Sequence, residues 1–330
     1  MHAAGILLFA ASVAAVATQP DRVDLTAGEA ARITRVKHEV RDAVADALRT
    51  EGDPARAQRQ FTEASRVFEG VEVRFRDVEG HPELVAVTTL IDIPCGSDTS
   101  LYLFRLESDG WRLILARESN GYRRIAGALD MFQYAVSPSD ANGDFFVVTA
   151  NVNPWCSSNW QMLRFDVRRI GADAYSSRVL VSGNESIYLD ADDYELKAGV
   201  DDVRLQWRSW QSLDLGLHNR AHVRHFSICG DRVERVGPFA LAPEDFVDEW
   251  GRMPWEEASR FGGPRAVHQL LNKRRFFYSA FDPVRRGKDG AWIVPLWVER
   301  KPRNEWMTFT IEQRGDEFVI RGVDVAAADQ

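Results

Sequence analysis

The chain has 330 residues and a formal net charge of -8, from 41 Lys and Arg against 49 Asp and Glu. That balance offers no basic stripe for nucleic acid and no polybasic patch for an anionic membrane. An apolar share of 45% with 27% charged residues is ordinary for a globular protein and excludes wholesale disorder.

Ile6 to Ala17 is almost wholly apolar, and Ala15-Val16-Ala17 makes a small-x-small site ahead of Thr18-Gln19-Pro20. Residues 1–17 therefore read as a secretory signal, too short to span a bilayer as a helix. The amino-terminal flank departs from the pattern, holding only His2 where Lys or Arg is usual. The expectation is an exported chain, periplasmic or extracellular, starting near Thr18 with no transmembrane segment in its mature form.

Thr26-Ala27-Gly28-Glu29 is a capping box, and Ile33, Val36, Val40, Val44 and Leu48 then recur at helical spacing. Gly52-Asp53-Pro54 stops that helix and opens a second, which carries Phe61, Ala64 and Phe68 inward. This helical segment, residues 18–70, is expected to cover an open edge of the β region behind it.

From Val71 the pattern changes to strands, and a strand–loop–strand–turn–strand unit recurs about every sixty residues. The first copy is Leu84–Ile93, Leu101–Leu106 and Trp111–Ala116; the second is Phe145–Val152, Trp160–Val167 and Ser177–Val181. The third is Val203–Trp210, His222–Ile228 and Val233–Val236. A weaker fourth is Trp292–Val298, Trp306–Ile311 and Phe318–Ile320. Tight Asp-Gly and Gly-Asp turns join neighbours directly, so the strands pair antiparallel. Gln133–Val136 and Ile187–Leu189 are candidates for additional strands. The fold class is mainly β, with repeated antiparallel meanders, propeller-like or partly open.

Residues 71–242 form the β-repeat region. Between the third and fourth copies Pro243, Pro254 and Gly263-Pro264 open three short helices, with Gly251 and Gly262 as stops. Residues 243–330 fit either a helical insertion into a repeat or a separate small α+β domain. Acidic residues at Glu244, Asp245, Asp248 and Glu249 read as a solvated face balancing the basic runs at Lys273 and Arg285.

Export changes the meaning of the three cysteines. Cys95 and Cys156 occupy matching loops of the first two copies, each behind a proline (Pro94, Pro154), and are expected to form a disulfide in an oxidising compartment. Cys229 is left over.

His218 and His222 are the candidate metal ligands, with His225 and Cys229 nearby. On a strand, however, His222 and His225 point to opposite faces, so an ion needs His218, one of them and a distant carboxylate. Asp140-Ala141-Asn142-Gly143-Asp144 resembles the start of a calcium loop but has Asn151 where the closing acid is needed; a hairpin turn explains it better. Gly-x-Ser-x-Gly, glycine-rich phosphate loops, His-Glu-x-x-His and Cys-x-x-Cys are absent. No cofactor is expected.

Ten tryptophans is a high count, and Trp155, Trp160 and Trp210 lie in or beside the inter-strand loops at one end of the array. Such aromatic faces stack sugar rings or anchor a protein partner. Trp250, Trp255, Trp292, Trp297 and Trp306 read as core. Arg105, Arg164 and Arg224 recur at similar points of the middle strands, where they bind an anion together or pair with neighbouring carboxylates. The leading expectation is a non-catalytic exported protein that binds a glycan or envelope protein through its aromatic loop rim. The alternatives are a secreted hydrolase, using an acidic pair or zinc, and a structural envelope component.

Overall fold

A computed structural model describes residues 25–64, 70–119, 122–153, 160–172, 177–188, 194–213, 216–273, 278–281, 283–298 and 305–327. The expected signal, residues 1–17, lies outside them. Among the described residues no helix is long and apolar enough to cross a membrane. The chain divides into two compact units, Met1–Ile187 with Leu196–Val200 and Tyr188–Glu195 with Asp201–Gln330.

The first unit opens with α1 (Ala27–Glu51), whose Thr26 side chain accepts from the Glu29 amide while the Glu29 carboxylate accepts from the Thr26 amide at 2.8 Å. Gly52, at a positive φ of 66°, closes the helix with its amide on the Leu48 carbonyl. Asp53 then caps α2 (Pro54–Ala64), accepting from the Arg56 amide at 2.8 Å. Next come β1 (Val71–Val78), β2 (His81–Ile93), β3 (Gly96–Glu107) and β4 (Gly110–Arg117), paired in that order. A second sheet holds β5 (Asp130–Val136), β6 (Phe145–Val152), β7 (Trp160–Ile170) and β8 (Ser177–Tyr188), again in sequence order.

Strict alternation decides what packs on what. Val85, Val87, Tyr102 and Phe104 face one way, onto Val40, Val44, Leu48, Ala57 and Phe61 of the helices. Leu84, Ala86, Leu101 and Leu103 face the other way, onto Phe145, Val147 and Ile170. The helical pair therefore covers a face of the first sheet, not an edge. The runs Leu84-Val85-Ala86-Val87 and Leu101-Tyr102-Leu103-Phe104 are apolar on both faces, so both need a cover.

A third sheet pairs β9 (Tyr194–Ala198), β10 (Asp202–Leu213), β11 (Gly216–Cys229) and β12 (Arg232–Arg235) in sequence order, and β10 to β12 belong to the second unit. Helices α3 (Pro243–Arg252), α4 (Trp255–Ala258) and α5 (Arg265–Lys273) follow. The last sheet holds β13 (Tyr278–Phe281), β14 (Arg285–Arg286), β15 (Trp292–Val298), β16 (Glu305–Arg314) and β17 (Glu317–Ala327), in the order β13-β15-β16-β17 with β14 also on β15. Phe246, Val247, Trp250, Phe261 and Leu271 pack on Val294, Leu296, Met307, Phe309 and Ile320. Gly262, at a φ of 78°, passes so close to β17 that a Cβ there would lie 2.5 Å from the Ile320 carbonyl oxygen.

All four expected meanders are present as antiparallel sheets, and the described strands form open sheets, not a closed barrel. Gln133–Val136 belongs to β5 as expected. Ile187 instead belongs to β8, which ends at Tyr188, while Leu189 lies outside the described residues; the additional strand of the third sheet is β9.

Candidate functional site

Helix α3 has two buried faces of opposite character. Phe246, Val247 and Trp250 enter the apolar core of the last sheet. Asp245, Asp248, Glu249 and Arg252, spaced i, i+3, i+4 and i+7, form a second stripe. The acids of that stripe are buried as well. The sheet supplies their counterpart. On β11 Arg220, His222 and Arg224 alternate on one face, opposite Ser209, Trp207 and Leu205 of β10.

Glu249 is the hub. Its Oε2 accepts from Arg224 at 2.9 Å and its Oε1 from Arg235 at 2.5 Å; Arg235 also reaches Glu257 at 3.4 Å. Burial opposes ionisation of Glu249, yet Arg224 and Arg235 outweigh it and hold the carboxyl at about 2. The Arg224 guanidinium lies 5.1 Å from the Trp207 ring, and Trp207 stacks on His222 with centroids 5.0 Å apart and planes at 18°. His222 Nε2 is 2.8 Å from Ser209 Oγ. Burial, with the positive charges of Arg252, Arg224 and Arg220, holds His222 well below its ordinary value, so the ring is neutral at pH 7. Asp248 pairs with Arg252 at 3.0 Å. Burial raises Asp245 to about 7, although Arg220 pulls the other way.

Serine, histidine and glutamate at these places invite comparison with acyl-transfer chemistry. Two facts separate them from it. Ser209 and His222 are only 3% and 5% exposed. Both oxygens of Glu249 are committed to arginines, so the carboxylate does not orient the imidazole. The group acts as an ionic clamp between α3 and the third sheet. Asp245, Asp248 and Glu249 of the acidic face read as solvated are therefore buried, Glu249 pairing with β11 and β12 and Asp248 with Arg252 of its own helix.

The first unit holds a smaller closed cluster. Lys37 of α1 contacts Asp98 and Ser119 Oγ, while Ser119 Oγ donates to Asp98 Oδ2 at 2.9 Å. The Leu129 amide donates to the other oxygen of Asp98 at 3.0 Å. An ammonium committed to a carboxylate has no lone pair with which to act as a base.

Only some of the residues singled out from the sequence fall among the described ones. Trp155 and Cys156 lie outside the described residues, as do the side chains of Trp160, Trp210 and His218; Trp160 begins β7, and Trp210 pairs with Asn219 across β10 and β11. Cys95 ends the β2–β3 loop at a φ of 68°, and Cys229 is free and exposed. Arg105 donates to the carbonyls of Gly171 and Ala172, the turn after β7, and lies 5.7 Å from the Phe145 ring. Arg164 is exposed on β7 and Arg224 is in the clamp, so the three arginines have three different environments. His222 and His225 do point to opposite faces; His225 Nδ1 donates to the Gly237 carbonyl at 2.6 Å. Among the described residues no group of three His, Cys, Asp or Glu is placed to hold a metal.

Asp140 accepts from the amides of Asn142 and Asp144, and Arg169 pairs with both Asp140 and Asp144. That is a turn tied down by an arginine. Trp297 and Trp306, read as core, are half-buried on the outer face of the last sheet, opposite Leu296 and Met307. They form a T-shaped cross-strand pair with centroids 5.0 Å apart.

No protein-family model matches the chain, and no curated protein matches it.

Proposed function

We propose that the protein is an exported, non-catalytic binding protein that takes a glycan or an envelope protein through an aromatic surface, with Trp155 and Trp160 on one loop rim and Trp210 as a separate candidate. One observation carries this reading: the acid–base groups of the described clusters are buried, while the Trp297–Trp306 pair stays partly open on a sheet face. Aromatic faces held on rigid strands suit stacking against sugar rings or a partner's apolar anchor. A Cys95–Cys156 disulfide ties two rim loops together in this reading, and Arg164 adds an exposed cation beside them.

The test is tryptophan fluorescence of the mature protein titrated with envelope polysaccharides, peptidoglycan fragments and envelope extracts. A saturable change that Trp155→Ala abolishes, at unchanged Tm, is expected. A flat titration of folded protein against every component refutes it. The Ser209–His222 distance of 2.8 Å favours a second reading, a hydrolase with Ser209 as its nucleophile. Labelling of Ser209 by a fluorophosphonate probe would establish that reading and displace the first.

A further inference from the structure

A trough of about 400 Å3 opens in the second unit between α5 and strands β16 and β17, a volume typical of small-molecule sites. Three-residue steps keep Val267, Leu270 and Lys273 on one side of α5. Met307 and Val325 form the facing wall. Met307 is buried, but Val325 is 51% exposed, so apolar surface is left uncovered along the trough. Two charges stand on its rim, Lys273 and Glu305. Glu305 already has a partner of its own. Lys273 takes part in no ion pair among the described residues, and is the charge left for a ligand. The Val267-to-Lys273 stretch of helix runs about 9 Å, enough to lay a short aliphatic chain along the floor with its head at the ammonium.

We infer that this trough binds an amphiphile with one aliphatic chain and one anionic head, the head pairing with Lys273 and the chain lying on Val267, Leu270, Met307 and Val325. Burying the chain removes Val325 from water, and the exposed lysine selects a carboxylate or phosphate over a neutral head. The inference is independent of the loop rim, because no rim residue contributes to the trough.

The experiment is isothermal titration of the full chain with decanoate and, in parallel, with the uncharged decanol. Decanoate is expected to bind saturably and more tightly than decanol. Lys273→Gln weakens decanoate about tenfold and leaves decanol unchanged, whereas Val325→Asp weakens both at least tenfold. Both positions are exposed, so thermal unfolding of the variants serves as the check that the fold is intact. Absence of decanoate binding to the wild type overturns the inference, and so does binding indifferent to Val325→Asp. Decanoate binding that Val325→Asp removes but Lys273→Gln does not alter overturns the assignment of an anionic head.

Discussion

Replacing Glu249 by Gln keeps the size of the side chain and removes the charge that Arg224 and Arg235 share. The structure sets the magnitude in two ways. The carboxyl is held at about 2 against an ordinary 4.5, and at about 1.4 kcal/mol per unit that difference is worth about 3 kcal/mol. Breaking one side of a buried ion pair separately costs about 3–5 kcal/mol, since the remaining charges stay desolvated. Glu249→Gln is thus expected to lose about 3 kcal/mol or more at pH 7. The pH dependence follows from the direction of the shift. A carboxyl depressed in the folded state contributes its stability above 4.5, and that contribution disappears as the pH falls towards 2. Urea unfolding of both proteins between pH 7 and pH 2, followed by far-UV circular dichroism, reads this directly. The curves should lie far apart at neutral pH and converge in acid. A difference below 1 kcal/mol at pH 7, or a constant gap across the range, would refute the reasoning.

Other outcomes follow from the same geometry. Lys37→Met strands the buried Asp98 carboxylate and should cost about 3–5 kcal/mol, seen as a lower urea midpoint; Lys37→Met with Asp98→Asn should recover part of the loss. Asp245 titrates near 7 in the fold against 3.8, so its ionised form is disfavoured and stability falls as the pH rises from 3.8 through 7. Asp245→Asn should therefore stabilise the protein at pH 8 by about 2–4 kcal/mol and make little difference at pH 4. Denatured, unreduced protein should present one reactive thiol, Cys229, with Cys95 and Cys156 bonded; three reactive thiols would remove the disulfide from the proposed function.

Most strands, turns and helix caps could be read from the chain because the forces that make them are local, though β9, β13 and β14 were not. Thr26 and Glu29 cap one helix across three residues, and apolar alternation through Val203, Leu205 and Trp207 states which strand face goes inward. Even the double cover of the first sheet was written in the unbroken apolar runs of β2 and β3, although the helices were expected at an edge. The functional candidates were harder to read. Trp297 and Trp306 alternate out of the core once the register of β15 on β16 is known, yet sequence alone does not say which parity faces the helices.

What the sequence determined by itself is a mainly β chain of repeated antiparallel meanders, with its helices, turns and sheet strands close to where they stand. What only the tertiary structure decided is the environment of its charges. Asp245, Asp248 and Glu249 look like any solvated helix face until β11 and β12 bring Arg224 and Arg235 to Glu249 from 25 and 14 residues away. The physical reason is that burial and pairing are properties of two surfaces at once. A carboxylate in water and one sealed against two guanidiniums have the same sequence neighbours, and only packing tells them apart.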